Sequence, residues 1–192
     1  MSASVTNDPT CTAEQYLAEL QHQRKQAEDL VSGLTTAQLN WRPDGGQSWS
    51  IAQCIEHLSA TNRIYLEAIR GVMQSGRDRG PQGADVFRPG GWLTRRFIVS
   101  MEPPPKQKFR AFRKIQPAPP EYHGEAVLSR FLAEQENLSA FVSDNRQIDL
   151  GSVLFWNPFL KVVRLRVSSG LLLIGAHTRR HLWQAEQVKS IA

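Results

Sequence analysis

Residues 165–189 read LRVSSGLLLIGAHTRRHLWQAEQVK, and they indicate both the fold and a candidate site. If this stretch is helical, His177 and His181 lie four residues apart, one turn above the other on the same face. They continue an apolar stripe with helical spacing that consists of Gly170, Leu173, Ile174, His177, His181, Ala185 and Val188. The pattern predicts an amphipathic helix whose histidines point into the core. Because unpaired buried imidazoles are costly, a bound metal ion would satisfy both at once.

Three earlier segments repeat this helical spacing, so the predicted helices span residues 12–33, 50–75, 124–144 and 165–189. Two of the predicted starts carry capping-box signals, Thr12 with Gln15 and Ser50 with Gln53. No strand pattern is convincing. Four amphipathic helices predict an all-α four-helix bundle, formed by residues 1–192 as a single domain.

The predicted second and third helices are joined by a long, basic, proline-rich crossover, residues 76–122. This segment holds eight of the eleven prolines, and its ten Lys and Arg residues face only four acids. Only residues 91–101 within it are suited to a short helix. Connections of this length are uncommon in compact domains, so the crossover is either a solvated connection or a lid over a site.

Composition excludes several classes of protein. Cys11 and Cys54 have no metal-ligand spacing and predict no disulfide framework. The N-terminal residues lack the pattern of a signal peptide, and the most apolar window, residues 162–176, is too short to span a bilayer. The sequence therefore predicts a cytoplasmic protein without membrane contact.

A third histidine completes the candidate site. His57 lies at the edge of the apolar stripe of the second predicted helix, so it can meet His177 and His181 in the core of a bundle. Three protein nitrogens with one open position are typical of a catalytic metal site. His-x-x-x-His alone is a weak signal, and Thr178 stands where a zinc peptidase needs Glu. Core histidines bonded to backbone or water therefore remain an open alternative.

Three motifs in order resemble the DinB/YfiT-like metalloenzyme superfamily. They are Leu39-Asn40-Trp41-Arg42-Pro43, then Trp49-Ser50-Ile51 leading to Glu56-His57-Leu58, then His177-Thr178-Arg179-Arg180-His181. The resemblance implies an up-down-down-up bundle, often dimeric. It also implies a divalent ion held by one histidine of the second helix and two of the last, which match His57, His177 and His181. Characterised relatives include S-transferases and an isomerase that use low-molecular-weight thiols such as bacillithiol or mycothiol.

The expected function is therefore a divalent-metal-dependent S-transferase acting on a small-molecule thiol and an electrophile, as a homodimer. Zinc is the first choice of ion, with nickel or iron as alternatives, and no catalytic residue is assigned. Gln53, Thr61 and Gln184 are expected to orient the ligands from one turn away. Arg180, or an arginine of the crossover, is a candidate to attract an anionic thiol, and the alternative is a solvated arginine.

Two rival functions remain. One is a metal-binding stress-response bundle without catalysis, whose pocket would be too closed for an exogenous thiol. The other is nucleic-acid binding through the basic crossover. We disfavour it because no helix carries a continuous basic face or a known reader motif.

Overall fold

The computed structural model describes residues 8–74, 83, 85–107, 111–118 and 121–192, and the chain is mostly helical over them. Four long helices dominate: α1 (Ala13–Val31), α4 (Ile51–Gln74), α6 (Gly124–Asp144) and α7 (Val167–Lys189). Two short helices, α2 (Thr36–Asn40) and α5 (Trp92–Met101), lie between them, as does α3 (Pro43–Gly46), a single turn in which Asp44 and Gly45 have left-handed backbone angles. The mostly helical structure of the described residues agrees with the prediction of an all-α fold.

Local chemistry explains where the long helices begin and end. Thr12 caps α1 through a reciprocal pair of bonds with Gln15, of 3.1 Å and 2.8 Å. Ser50 and Gln53 form the same box at α4, with bonds of 3.1 Å and 3.2 Å. The first helix ends at Val31, two residues before the predicted end, and Gly33 just beyond it has a φ of 75° that glycine adopts most easily.

Four short strands correct the prediction that strands are absent. β1 (Cys11–Thr12) pairs antiparallel with β2 (Val86–Phe87), and β3 (Leu154–Trp156) pairs antiparallel with β4 (Arg164–Arg166). Because β4 takes residues 165 and 166, α7 begins at Val167 and not at the predicted residue 165. Strands of two or three residues are too short to show the alternation by which strands are recognised.

The described parts of the crossover are packed against the long helices. The predicted helix at residues 91–101 is confirmed as α5, which contacts α7. A 3₁₀ turn, Arg113–Ile115, contacts α4. Residues 75–82, 84, 108–110 and 119–120 lie outside the described residues. The described parts of the crossover therefore contact both helices that carry the three histidines.

The long helices pack as α4 against α6 and α7, and α1 against α6 and α7. They enclose two apolar clusters, which we call the first cluster (with Leu20, Leu66, Leu138 and Ile174) and the second cluster (with Ala27, Leu58, Phe131 and Leu182). Along the chain, α1 and α7 pass from the first cluster to the second. Helices α4 and α6 pass from the second cluster to the first. No helix in the described part of the chain is long and apolar enough to cross a lipid bilayer.

Candidate metal centre

Helices α4 and α7 bring His57, His177 and His181 together. One ring nitrogen from each lies within 4.8 Å of the other two, and His57 and His181 are buried. Nε2 of His57 is 3.2 Å from Nε2 of His177. Zinc–nitrogen bonds of about 2.05 Å in a tetrahedron put two ligand nitrogens roughly 3.3 Å apart. The His57–His177 pair thus already has the spacing of two ligands, and the three residues can hold a metal ion.

The crossover fixes the orientation of the His57 ring. Nδ1 of His57 lies 2.7 Å from the carbonyl oxygen of Ile115, in the 3₁₀ turn. A carbonyl only accepts, so Nδ1 carries the proton and donates it. Nε2 of His57 is therefore unprotonated, with its lone pair turned towards His177. Such a bond to the second ring nitrogen is what orients histidine ligands in metal sites.

The other two imidazoles each have an orphaned polar atom. Nδ1 of His177 and Nδ1 of His181 are buried and have no hydrogen-bond partner among the described residues. Buried ring nitrogens without a partner are costly and rare in native proteins. An ion bound at Nε2 of His177 leaves Nδ1 of that ring to be satisfied by water. The donor set fits a metal ion because one nitrogen of each ring lies within 4.8 Å of the other two.

All three histidines are neutral at pH 7. Burial lowers the pKa of His57, and the hydrogen bond to Ile115 only partly opposes it. Burial lowers the pKa of His177 well below its usual value, and His181, His57 and Arg180 add to the effect. For His181, burial together with the nearby His57 and Arg180 lowers the pKa to about 3. Because a neutral imidazole can place its proton on either nitrogen, metal binding releases no net proton from the three rings.

The three residues predicted to orient the ligands, Gln53, Thr61 and Gln184, have different surroundings in the structure. Gln53 and Thr61 line the same cavity as the histidines, but their side chains bond elsewhere. Gln53 caps α4 and donates to the Ala118 carbonyl at 3.3 Å, and Thr61 donates to the carbonyl of His57 at 2.8 Å. Gln184 lies beside His181, and its hydrogen bond raises the pKa of that imidazole. Whether any of the three orients a bound ion's ligands stays a prediction.

Two neighbours of the site were not among the predicted site residues. The Trp49 ring lies 4.8 Å from that of His57 and is stacked on that of His181 at 5.7 Å, centre to centre. The sequence indicated Trp49 only as part of the Trp49-Ser50-Ile51 motif. Ile115 contributes a backbone carbonyl, which no pattern of side chains could have revealed.

The two adjacent arginines of α7 have different surroundings. Arg179 forms ion pairs with Glu19 at 2.9 Å and Glu102 at 2.8 Å. Arg180 lines the cavity, is only 7% exposed, and donates to the carbonyls of Ser100 and Gln107 in the crossover. The interpretation of Arg180 as a solvated residue is therefore wrong. Its charge reaches the ligand histidines, since it lowers the pKa of both His177 and His181.

The histidines lie at one side of a cavity of about 1150 Å³. Its walls are rich in aromatic rings, contributed by Trp49, Phe97, Phe112, Phe159 and Trp183. The rings of Phe112 and Phe159 are stacked with centres 5.4 Å apart. A volume of this size accommodates two small molecules, and apolar walls with a few convergent polar groups are typical of small-molecule sites.

Comparison with known proteins agrees with this site. The sequence profile of the DinB superfamily matches residues 19–185, a span that contains all three histidines. The chain therefore belongs to the DinB superfamily. A search of curated proteins and a search of solved structures each find no match.

Proposed function

We propose that this protein is a divalent-metal-dependent thiol S-transferase whose ion is held by His57, His177 and His181. The observation that carries the proposal is the convergence of three neutral imidazoles on a cavity large enough for two substrates. Zinc is the preferred ion because three histidines with one open position suit it, and nickel or iron are alternatives.

The chemistry of the transfer is simple. His57, His177 and His181 would hold a divalent ion, which would supply the positive charge that lowers the pKa of a bound thiol, so that thiolate would be available near pH 7. The sulfur attacks the electrophilic carbon and forms the S–C bond. The bond from that carbon to the leaving group breaks, and the leaving group departs with its electron pair. The thiol proton passes to water.

We propose that different residues bind the thiol and the electrophile. Arg180 supplies a buried positive charge beside the histidines, so we propose that it binds a carboxylate of the thiol. The stacked rings of Phe112 and Phe159 offer an apolar surface for a planar electrophile.

A non-catalytic metal-binding protein is the rival. That function needs no access for a second molecule and was expected to have a closed pocket. The size of the cavity and the arginine on its wall favour an enzyme over a simple metal carrier. Nucleic-acid binding has no support from the site.

We also propose that the four long helices form the up-down-down-up bundle of the superfamily. The support is the order in which they meet the two apolar clusters, because α1 and α7 run one way and α4 and α6 the other. A homodimer and a cytoplasmic location stay predictions. Sedimentation equilibrium of the purified protein tests the dimer.

The test of the function uses zinc-loaded protein, N-acetylcysteine as the thiol and 1-chloro-2,4-dinitrobenzene as the electrophile. We expect thioether formation above the uncatalysed rate, lost in His177→Ala and retained in His22→Ala, a change of an exposed histidine. Protein that holds its zinc and yet binds none of a panel of carboxylate-bearing thiols would contradict the transferase and favour the carrier.

A further inference from the structure

Each of the four long helices places one polar residue in the middle of the core. Gln23 of α1, Asn62 of α4, Gln135 of α6 and Thr178 of α7 are each 0% exposed. In every helix this residue lies between a member of the first cluster and a member of the second. We call these four residues the polar layer, because each lies between the two apolar clusters along its own helix.

Two side chains of the polar layer, Gln23 and Gln135, form hydrogen bonds. Nε2 of Gln23 donates to the carbonyl of Gly175 at 3.1 Å and to Oε1 of Glu19 at 2.8 Å. Nε2 of Gln135 lies 3.5 Å from Oε1 of Gln23, at the long limit of a hydrogen bond. These contacts connect α1 to α6 and α7. They leave the side chain of Asn62 out.

Other polar atoms of the layer have no partner among the described residues. Both side-chain heteroatoms of Asn62, Oε1 of Gln135 and Oγ1 of Thr178 are fully buried and make no hydrogen bond. The set includes the amide donor of Asn62, two amide oxygens that only accept, and a hydroxyl that does both. Native proteins fill such places with internal water, which typically makes about three hydrogen bonds.

We propose that the polar layer is an internal water site, where ordered water joins Asn62 of α4 to Gln135 of α6 and Thr178 of α7. Water fits because it donates to the two amide oxygens and accepts from Asn62. A monovalent cation suits this set less well, since the Asn62 amide nitrogen would face it.

The position of the polar layer gives the water a role beside the candidate metal centre. Thr178 directly follows His177 and precedes His181 by three residues, and Asn62 follows His57 by five. A water bridge between Asn62 and Thr178 would therefore fix the register of α4 against α7, the two helices that carry the histidines. The inference does not depend on the proposed function, because it rests on the layer alone.

A crystal structure of the unmodified protein tests the site directly. We expect density for water about 2.7–3.2 Å from the Asn62 side chain and from Gln135 or Thr178. Direct pairing of Asn62 with Gln135 or Thr178, with no density between them, would overturn the proposal. Density with the short, oxygen-only coordination of a sodium ion would also overturn it.

Two matched variants test it in solution. Thr178→Val removes the unpaired hydroxyl, and Thr61→Val removes a hydroxyl on α4 that already bonds to the His57 carbonyl. We expect cross-relaxation between internal water and the Asn62 amide protons in the unmodified protein and in Thr61→Val, and its weakening in Thr178→Val. Absence of that signal in the unmodified protein would contradict the proposal, even if Thr178→Val failed to fold.

Discussion

Nδ1 of His57 donates a hydrogen bond of 2.7 Å to the carbonyl oxygen of Ile115. This bond connects a candidate metal ligand of α4 to the basic, proline-rich crossover. It sets which nitrogen of His57 has a free lone pair, and it does so through a main-chain atom. The crossover is therefore part of the candidate site and more than a connection between helices.

The first prediction concerns this contact. Ile115 is 5% exposed and lies in the 3₁₀ turn that contacts α4. We expect Ile115→Ala to loosen the carbonyl and to lower zinc affinity about tenfold, as loss of a ligand's supporting hydrogen bond does. Competition with a fluorescent zinc chelator measures it. Lys114→Ala, an exposed neighbour in the same turn, is the control and should leave affinity unchanged. Equal affinity in both variants would show that the turn does not support His57.

The second prediction compares the roles of Arg180 and Arg179 in thiol binding. Arg180→Gln removes the buried charge beside the histidines, so we expect it to weaken N-acetylcysteine binding roughly tenfold to a hundredfold. Binding of N-acetylcysteine amide, which lacks the carboxylate, should change little. Arg179→Gln breaks ion pairs with Glu19 and Glu102 and should reduce stability without this selectivity. Isothermal titration of the zinc-loaded proteins distinguishes them. Loss of both ligands to the same degree in Arg180→Gln would contradict a carboxylate site.

The third prediction is a dependence of stability on pH in the metal-free protein. The pKa values of His57, His177 and His181 are all lowered on folding, to about 3 for His181. As pH falls below about 6.5, these histidines bind protons in the unfolded chain but remain neutral in the folded chain. The free energy of unfolding should therefore be level above pH 7 and fall below pH 6.5, by up to about 1.4 kcal/mol per pH unit for each histidine.

Urea denaturation between pH 8 and pH 5 checks this expectation. His181→Gln should show a shallower decline, while His22→Gln, at an exposed position, should follow the unmodified protein. A free energy of unfolding that stays constant down to pH 5 would mean that these histidines are not buried as described.

The fourth prediction compares two helical glycines. A Cβ added at Gly170 of α7 would lie 2.7 Å and 2.9 Å from ring atoms of Phe155, which is itself buried. We expect Gly170→Ala to reduce the free energy of unfolding by about 1–3 kcal/mol, because the ring must move. A Cβ added at Gly71 of α4 would have no neighbouring atom within 4 Å, so Gly71→Ala should stabilise by about 0.5–1 kcal/mol. Thermal denaturation of both variants measures the difference. A stabilising Gly170→Ala would contradict the packing of Phe155 against α7.

The sequence predicted those features that depend on local spacing. Apolar residues at helical intervals placed α6 at its observed bounds and the other long helices within two residues of theirs. The same spacing put His177 and His181 on an inward face. It could not show that Trp49 stacks on His181, because that contact joins parts of the chain far apart in sequence.

The polar layer is a second feature that the sequence alone could not predict. Gln23 lies between Leu20 and Ala27 on the apolar stripe of α1, yet a polar residue there looks like an interruption of the stripe. Only the packing of the four helices shows that Gln23, Asn62, Gln135 and Thr178 are all fully buried between the two apolar clusters.

The central claim is that His57, His177 and His181 bind a metal ion, and metal content tests it most directly. The protein should be purified without chelator and analysed for zinc, nickel and iron by plasma mass spectrometry. We predict about one ion per chain, lost in His57→Ala and kept in His22→Ala. Protein that is folded, carries no metal and takes up none on titration would contradict the metal centre and the enzyme proposed from it.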